Sequence, residues 1–182
     1  MLYYEKVFNL FPMVRPTINK LLTAIAVLAF IAMGVTGYLI YIKFAPSEGT
    51  FCFAGGSCDV VNNSPYSVID LGFAEIPVSI LGFLTYTFIF VMSILVMKKT
   101  VRWRKIHPKL SEKLILDGLK WLATIGAVFS LWLTYVEWRI LQAWCEYCVT
   151  QQIIILIITA LFFKISSTIK ADMKENKVCE FC

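Results

Sequence analysis

Charge is the scarcest thing in this 182-residue sequence. Only 16% of its residues are Asp, Glu, Lys or Arg, while 59% are hydrophobic; soluble domains carry about 25% charged residues. Several uncharged runs reach the roughly 18 residues needed to cross a bilayer. That excludes an ordinary soluble domain and points to a polytopic membrane protein with one compact domain. Histidine is reduced to His107, beside Pro108 and with no second ligand near it in sequence, so it reads as solvated and no metal site is expected. A cleaved leader is also missing. Residues 1–17 mix aromatics with Lys6 and Arg15 and are interrupted by Pro12 and Pro16. The apolar run that follows is too long for a signal-peptide core and closes on no small-x-small site, so the segment reads as an interfacial lead-in. The formal charge of +5 is the bias of cytoplasmic loops rather than a sign of nucleic-acid binding.

The runs give four expected spans, at approximately residues 18–42, 76–97, 119–139 and 146–165, followed by a polar tail over 166–182. Gly34 and Gly37 in the first span are expected to allow a close helix approach. Glu137 and Arg139 fall at the end of the third, where charge costs less than at the bilayer centre. Orientation follows from the Lys and Arg residues. With the N-terminus inside, segments 1–20, 98–120 and 164–182 hold 15 of the 17, and the outside segments hold only Lys43 and Arg139. Both termini are then cytoplasmic. Tyr38, Tyr41, Trp138 and Trp144 suit an aromatic belt at the outer face, and Trp103 and Trp121 one at the inner face.

This arrangement sets Cys52, Cys58, Cys145 and Cys148 on one extracytoplasmic face, the compartment in which disulfides form. Cys145 and Cys148 form a Cys-x-x-Cys at the mouth of the fourth span. A helix N-terminus favours thiolate over thiol, and a low-pKa thiolate both attacks and leaves well. Cys52 and Cys58 lie on a glycine-containing loop that can move. A mobile pair and a fixed pair suggest a relay by thiol–disulfide exchange. Two static structural disulfides in a non-enzymatic four-span protein, or a four-cysteine zinc site, are the alternatives that these residues leave open.

The spacing of Cys52 and Cys58, the segment from Asp59 through Ser64-Pro65 to Ser67, Ile76-Pro77-Val78-Ser79-Ile80-Leu81-Gly82, and Trp144-Cys145-Glu146-Tyr147-Cys148 together resemble the vitamin K epoxide reductase family in its bacterial or archaeal form. The resemblance implies an all-α four-helix transmembrane bundle around a quinone, with a short helix on its extracytoplasmic loop. Cys52 is then the cysteine that exchanges with a reduced partner, Cys58 the shuttle that attacks Cys145, and Cys148 the one that faces the quinone. Ser64 then lies on the short loop helix, near the quinone. Val78 and Gln152 stand where animal enzymes have an asparagine and a tyrosine of the quinone or epoxide pocket. Those departures favour plain quinone reduction, with ubiquinone, menaquinone or a related quinone, over epoxide reduction. Many bacterial relatives carry a fused thioredoxin-like domain after a fifth span. This sequence shows neither, so a separate DsbA-like thioredoxin-fold protein is the expected partner, in the cell (inner) membrane, in support of oxidative folding of exported proteins. The DsbB type of enzyme, with the same function, has its two cysteine pairs in the reverse order.

Three further features complete the reading. Gln151 and Gln152 lie one turn into the fourth span, where amides need a partner, either a quinone carbonyl or a neighbouring helix backbone. Asn62-Asn63-Ser64 fits a glycosylation sequon by chance. Cys179 and Cys182 form a second Cys-x-x-Cys, placed inside by the charge count and given no role.

Overall fold

A computed structural model describes residues 15–44, 58–70, 72, 75–98 and 112–179. Four helices among them are long and apolar enough to cross a membrane. Helix α1 spans Arg15–Phe44, α2 Cys58–Asn62, α3 Val78–Lys98, α4 Glu112–Val136 and α5 Glu146–Cys179. The protein is an all-α four-helix membrane protein. His107 and most of the lead-in and of the basic 98–120 segment lie outside the described residues.

The long helices exceed their expected spans for reasons that the sequence carries. Pro16 sits in the first turn of α1, where a missing N–H costs nothing. Residues 166–179 contain no Gly or Pro, so α5 continues through what reads as a polar tail. Residues 112–118 are helical too, ahead of the expected start of the third span. The second span begins later than expected, because Ile76 and Pro77 belong to a strand. Val68–Asp70 pairs antiparallel with Glu75–Pro77, with Ile69 opposite Ile76. Gly72, at a φ of 78°, makes the turn between them, and its N–H donates to Asp70 Oδ1 at 2.7 Å. A positive φ there favours glycine. This two-strand ribbon is absent from the sequence reading, since three-residue strands carry no periodicity to detect.

Helix α1 packs against α3 and α5, and α4 packs against α5; the neighbouring helices α3 and α4 touch only slightly. The common core joins Leu22, Ile25 and Ala29 of α1, Ile89 of α3, Leu119 and Ala123 of α4, and Ile158 and Phe162 of α5. Lipid tails are as apolar as these side chains, so close packing of small residues rather than water exclusion holds such helices together. The glycine that approaches a neighbour most closely is Gly82, whose added Cβ would stand 3.3 Å from Thr36 Cγ2. Gly34 meets nothing within 4 Å, and Gly37 only Phe83 at 3.9 Å. The close approach expected of the α1 glycines is therefore made on α3, because α1 turns Ala29 and Ala32 rather than Gly34 inward.

That difference is testable by thermal unfolding in detergent. Gly34→Ala should stabilise by up to about 1 kcal/mol, the helix-propensity gain. Gly82→Ala should give no gain, because its methyl group crowds Thr36; equal gains at both sites would show that the α1–α3 contact is loose.

Candidate active site

The turn from α4 into α5 is tight. After Val136 the helix widens into a π-helical segment, Glu137–Leu141, and Gln142 ends it in the left-handed conformation, φ 49° and ψ 32°. The Ala143 N–H donates to Glu137 O at 3.3 Å. Two residues after Ala143, Cys145 starts α5 as its N-cap: its carbonyl accepts the first helical bond, from Val149 N at 3.0 Å. Its sulfur does what a serine or aspartate oxygen does at this position, accepting the N–H of the third helical residue, Cys148, at 3.3 Å.

Cys145 and Cys148 are both free thiols. The Cys148 thiol donates to Cys145 Sγ at 2.7 Å. Cys145 is held below its ordinary thiol value, first by that hydrogen bond and further by backbone N–H groups of Cys148 and Tyr147, while burial and the Glu137 charge oppose the effect. Cys145 is therefore the sulfur of the pair that is favoured to carry negative charge. It is also fully buried, at 0% exposure, whereas Cys148 is partly exposed.

The loop cysteine meets this pair directly. Cys58, 1% exposed, packs with Val61, Ala143 and Cys145 in a small cluster separate from the main core, with Leu141, Tyr147 and Cys148 against it. Cys58 is disulfide-bonded. Cys52, its expected companion, lies outside the described residues, as do the side chains of Cys179 and Cys182. Helix α2 holds Cys58 in place through its carboxyl end. Ser64 Oγ donates to Val61 O at 2.8 Å, the Ser67 hydroxyl reaches Asn62 O at 2.6 Å, and Lys43 of α1 donates to Asn62 O and, at 3.1 Å, to Ser67 Oγ. A lysine on terminal carbonyls also suits the helix dipole. Ser64 thus lies just past the short helix rather than on it. Asn62 is buried and donates to Leu39 O at 3.3 Å, which leaves the sequon with no accessible amide.

On the other side of the pair a cavity of about 440 Å³ opens between the helices, walled mainly by apolar side chains. Cys148 is the cysteine on its wall, and Ser64 and Val78 line it as expected. Gln152 does not. Residues 151 and 152 diverge by about 100° around a helix, and Gln152 turns to α4, where its Oε1 accepts hydrogen bonds from Ser130 and Thr134. Gln151 takes the cavity side, and its Nε2 donates to Ala32 O at 2.9 Å, so both amides find partners in neighbouring helices. Three buried polar atoms on the wall have no hydrogen-bond partner among the described residues: Ser79 Oγ, Gln151 Oε1 and Glu137 Oε2. An apolar cavity of this size with a few convergent polar groups has the character of a small-molecule site.

Glu137 is the residue that sequence reading misplaces. It is 4% exposed, and its carboxylate faces the Cys148 thiol and the Cys145 backbone N–H. The available signal was the shortness of the connection. A turn of so few residues brings the last acidic residue of one span beside the first turn of the next.

Residues 23–163 match the family model described as the Vitamin K epoxide reductase family. The matched segment contains every residue of the site just described.

The cause of the Cys145 shift sets an expectation. In reduced protein, Cys148→Ala removes the main lowering contact and leaves burial and the Glu137 charge to raise the thiol. The alkylation midpoint of Cys145 should then move upward in pH, past the ordinary value of about 8.5. A midpoint that stays below ordinary would show that the helix N-terminus alone sustains the thiolate.

Proposed function

Because the chain belongs to the vitamin K epoxide reductase family, a family of membrane oxidoreductases, we propose that it is a thiol–disulfide oxidoreductase that reoxidises a thioredoxin-fold partner and passes the electrons to a quinone, in support of disulfide formation in exported proteins. One observation carries this reading: Cys58 and Cys145 share one buried cluster, while Cys148 of the same pair faces the apolar cavity. The pair thus has one sulfur toward the loop and one toward the place for an electron acceptor.

In the proposed sequence a reduced DsbA-like partner attacks the Cys52–Cys58 disulfide at Cys52. The freed Cys58 thiolate attacks Cys145 of a Cys145–Cys148 disulfide, and Cys148 leaves as thiolate. Burial restricts access to Cys145, so the thiol already packed against it is the natural attacker. The partner's second thiol releases Cys52 as the partner's own disulfide closes, and Cys52 then attacks Cys58, which frees Cys145 and completes the Cys145–Cys148 dithiol. A quinone bound in the cavity supplies a two-electron acceptor that becomes quinol. Ser79, whose hydroxyl has no partner among the described residues, would donate to one of its oxygens, while Ser64 and Val78 line the cavity with the neighbouring apolar walls. Leu81 and Ile125, exposed and on the cavity wall, mark the gap between α3 and α4 through which a lipid-soluble ligand enters. Cys52, Cys58, Cys145 and Cys148 lie on the extracytoplasmic side of the cell membrane, with both termini inside. Gln152 is not among the quinone contacts proposed here.

The test of function is reduction of a soluble quinone by purified protein given dithiothreitol or a reduced thioredoxin-fold protein. Two static disulfides would leave the quinone oxidised. The order of the relay is tested with Cys52→Ser combined with Cys148→Ser, which leaves Cys58 and Cys145 no competitor but each other. They should form a stable bridge, seen when the chain is cleaved between the second and third spans and the halves stay joined only without reductant. If Cys58→Ser with Cys148→Ser crosslinks instead, Cys52 and Cys58 exchange roles. Membrane-impermeant labelling of single-cysteine variants, after reduction in intact cells, should reach from outside every one of the four positions that it labels, and none from the cytoplasmic side.

A further inference from the structure

Electron transfer from the cysteine pair to a quinone has to be matched by proton transfer. A dithiol that closes to a disulfide gives up two electrons and two protons, and a quinone that becomes quinol takes up the same. Cys145 gives up its proton the more readily, since it is held below its ordinary thiol value and Cys148 donates to it at 2.7 Å. The Cys148 proton remains, on a sulfur at the cavity wall, inside a helix long and apolar enough to span the membrane.

Of the three unpartnered polar atoms on that wall, the Ser79 hydroxyl and the Gln151 amide are poor proton carriers near neutral pH. Glu137 can carry a proton. Its carboxylate faces the Cys148 thiol, and its Oε2 lies buried on the cavity wall with no hydrogen-bond partner among the described residues. The π-helical turn that it opens is an irregularity of the kind that re-aims side chains at working sites. Arg139 does not neutralise it: that guanidinium stacks over Trp138, 5.5 Å from the ring centre, and is on the exposed surface.

We propose that Glu137 is a catalytic proton carrier, accepting the proton of Cys148 through one carboxylate oxygen and delivering it to a cavity-bound quinone from the other. The step balances. The S–H bond of Cys148 breaks, the Cys145–Cys148 S–S bond forms, and two electrons leave the sulfurs for the quinone. The Cys148 proton reaches one quinone oxygen through Glu137. The second oxygen draws its proton from the water to which Cys145 lost its own. This inference rests on the quinone reading above, but proton acceptance from Cys148 is a property of the protein alone.

Both halves are measurable on full-length protein in detergent, with dithiothreitol and a short-chain benzoquinone analogue as probes. Glu137→Gln should lower quinone reduction by about 100-fold or more, the usual range for a lost general base. Dithiothreitol should still open the Cys145–Cys148 disulfide at close to the wild-type rate, as read by gel-shift alkylation. Glu137→Asp should recover part of the activity, and it carries the test if the glutamine variant fails to fold. Without quinone, reduction of the pair should change the carboxylic acid stretch in the infrared difference spectrum of wild type. That change should be shifted in Glu137→Asp and missing in Glu137→Gln. Glu137→Gln protein that reduces the probe within twofold of wild type, or a wild-type spectrum with no carboxyl change, overturns the proposal. A wild type with the carboxyl change that reduces no quinone upholds proton acceptance by Glu137 and overturns the quinone reading instead.

Discussion

The site is organised around one sulfur at a helix N-cap. Cys145 Sγ accepts both the N–H and the thiol of Cys148, and its other side packs against Cys58. The first pair of contacts fixes where Cys148 points and stabilises negative charge on Cys145. The second fixes which outside thiol can reach it. Burial alone would raise a thiol in such a place; the hydrogen bond from the Cys148 thiol, helped by the backbone N–H groups of Cys148 and Tyr147, reverses that tendency. A sulfur deep enough to be selective thereby stays charged enough to react.

The bundle divides its packing to match. α1 with α3, and α4 with α5, form the well-packed faces, and α3 and α4 barely meet. In a soluble protein such a gap would expose apolar surface to water. In a bilayer lipid fills it at little cost, because the tails match the side chains in polarity. The same weak contact that would destabilise a soluble bundle gives this one a cavity reachable from the membrane. At the far wall Lys43, Ser64 and Ser67 tie down the carboxyl end of α2, so the loop that brings Cys58 in is anchored where it meets the cavity.

What was legible in the sequence follows from what kind of signal each feature leaves. Spans are set by the solvent, and runs without charge reported all four. Cysteine spacing reported Cys145, Cys148 and Cys58 before their contacts were known, and helical phase put the face after Cys148 near residues 151 and 152. Phase could not choose between those two, because which way a helix turns depends on its neighbours: Ser130 and Thr134 capture Gln152 and leave Gln151 to the cavity. Nor could it report the ribbon from Val68–Asp70 to Glu75–Pro77, whose pairing is between strands too short to pattern.

Glu137 shows the limit in its sharpest form. Position in sequence puts it at the end of a span, where charge is normally tolerated by reaching water. The turn into α5 closes that route, since the π-helical segment and left-handed Gln142 fold the chain back at once and cover the side chain. An unpaired buried carboxylate costs several kcal/mol, and among the described residues no cation lies against it to offset that cost. A bare leucine there would pack better in an apolar wall. The carboxyl is instead kept beside the one cysteine that faces the cavity, with an oxygen free of partners. A polar atom left unsatisfied at a redox pair is a poor stabiliser but a ready one to exchange protons.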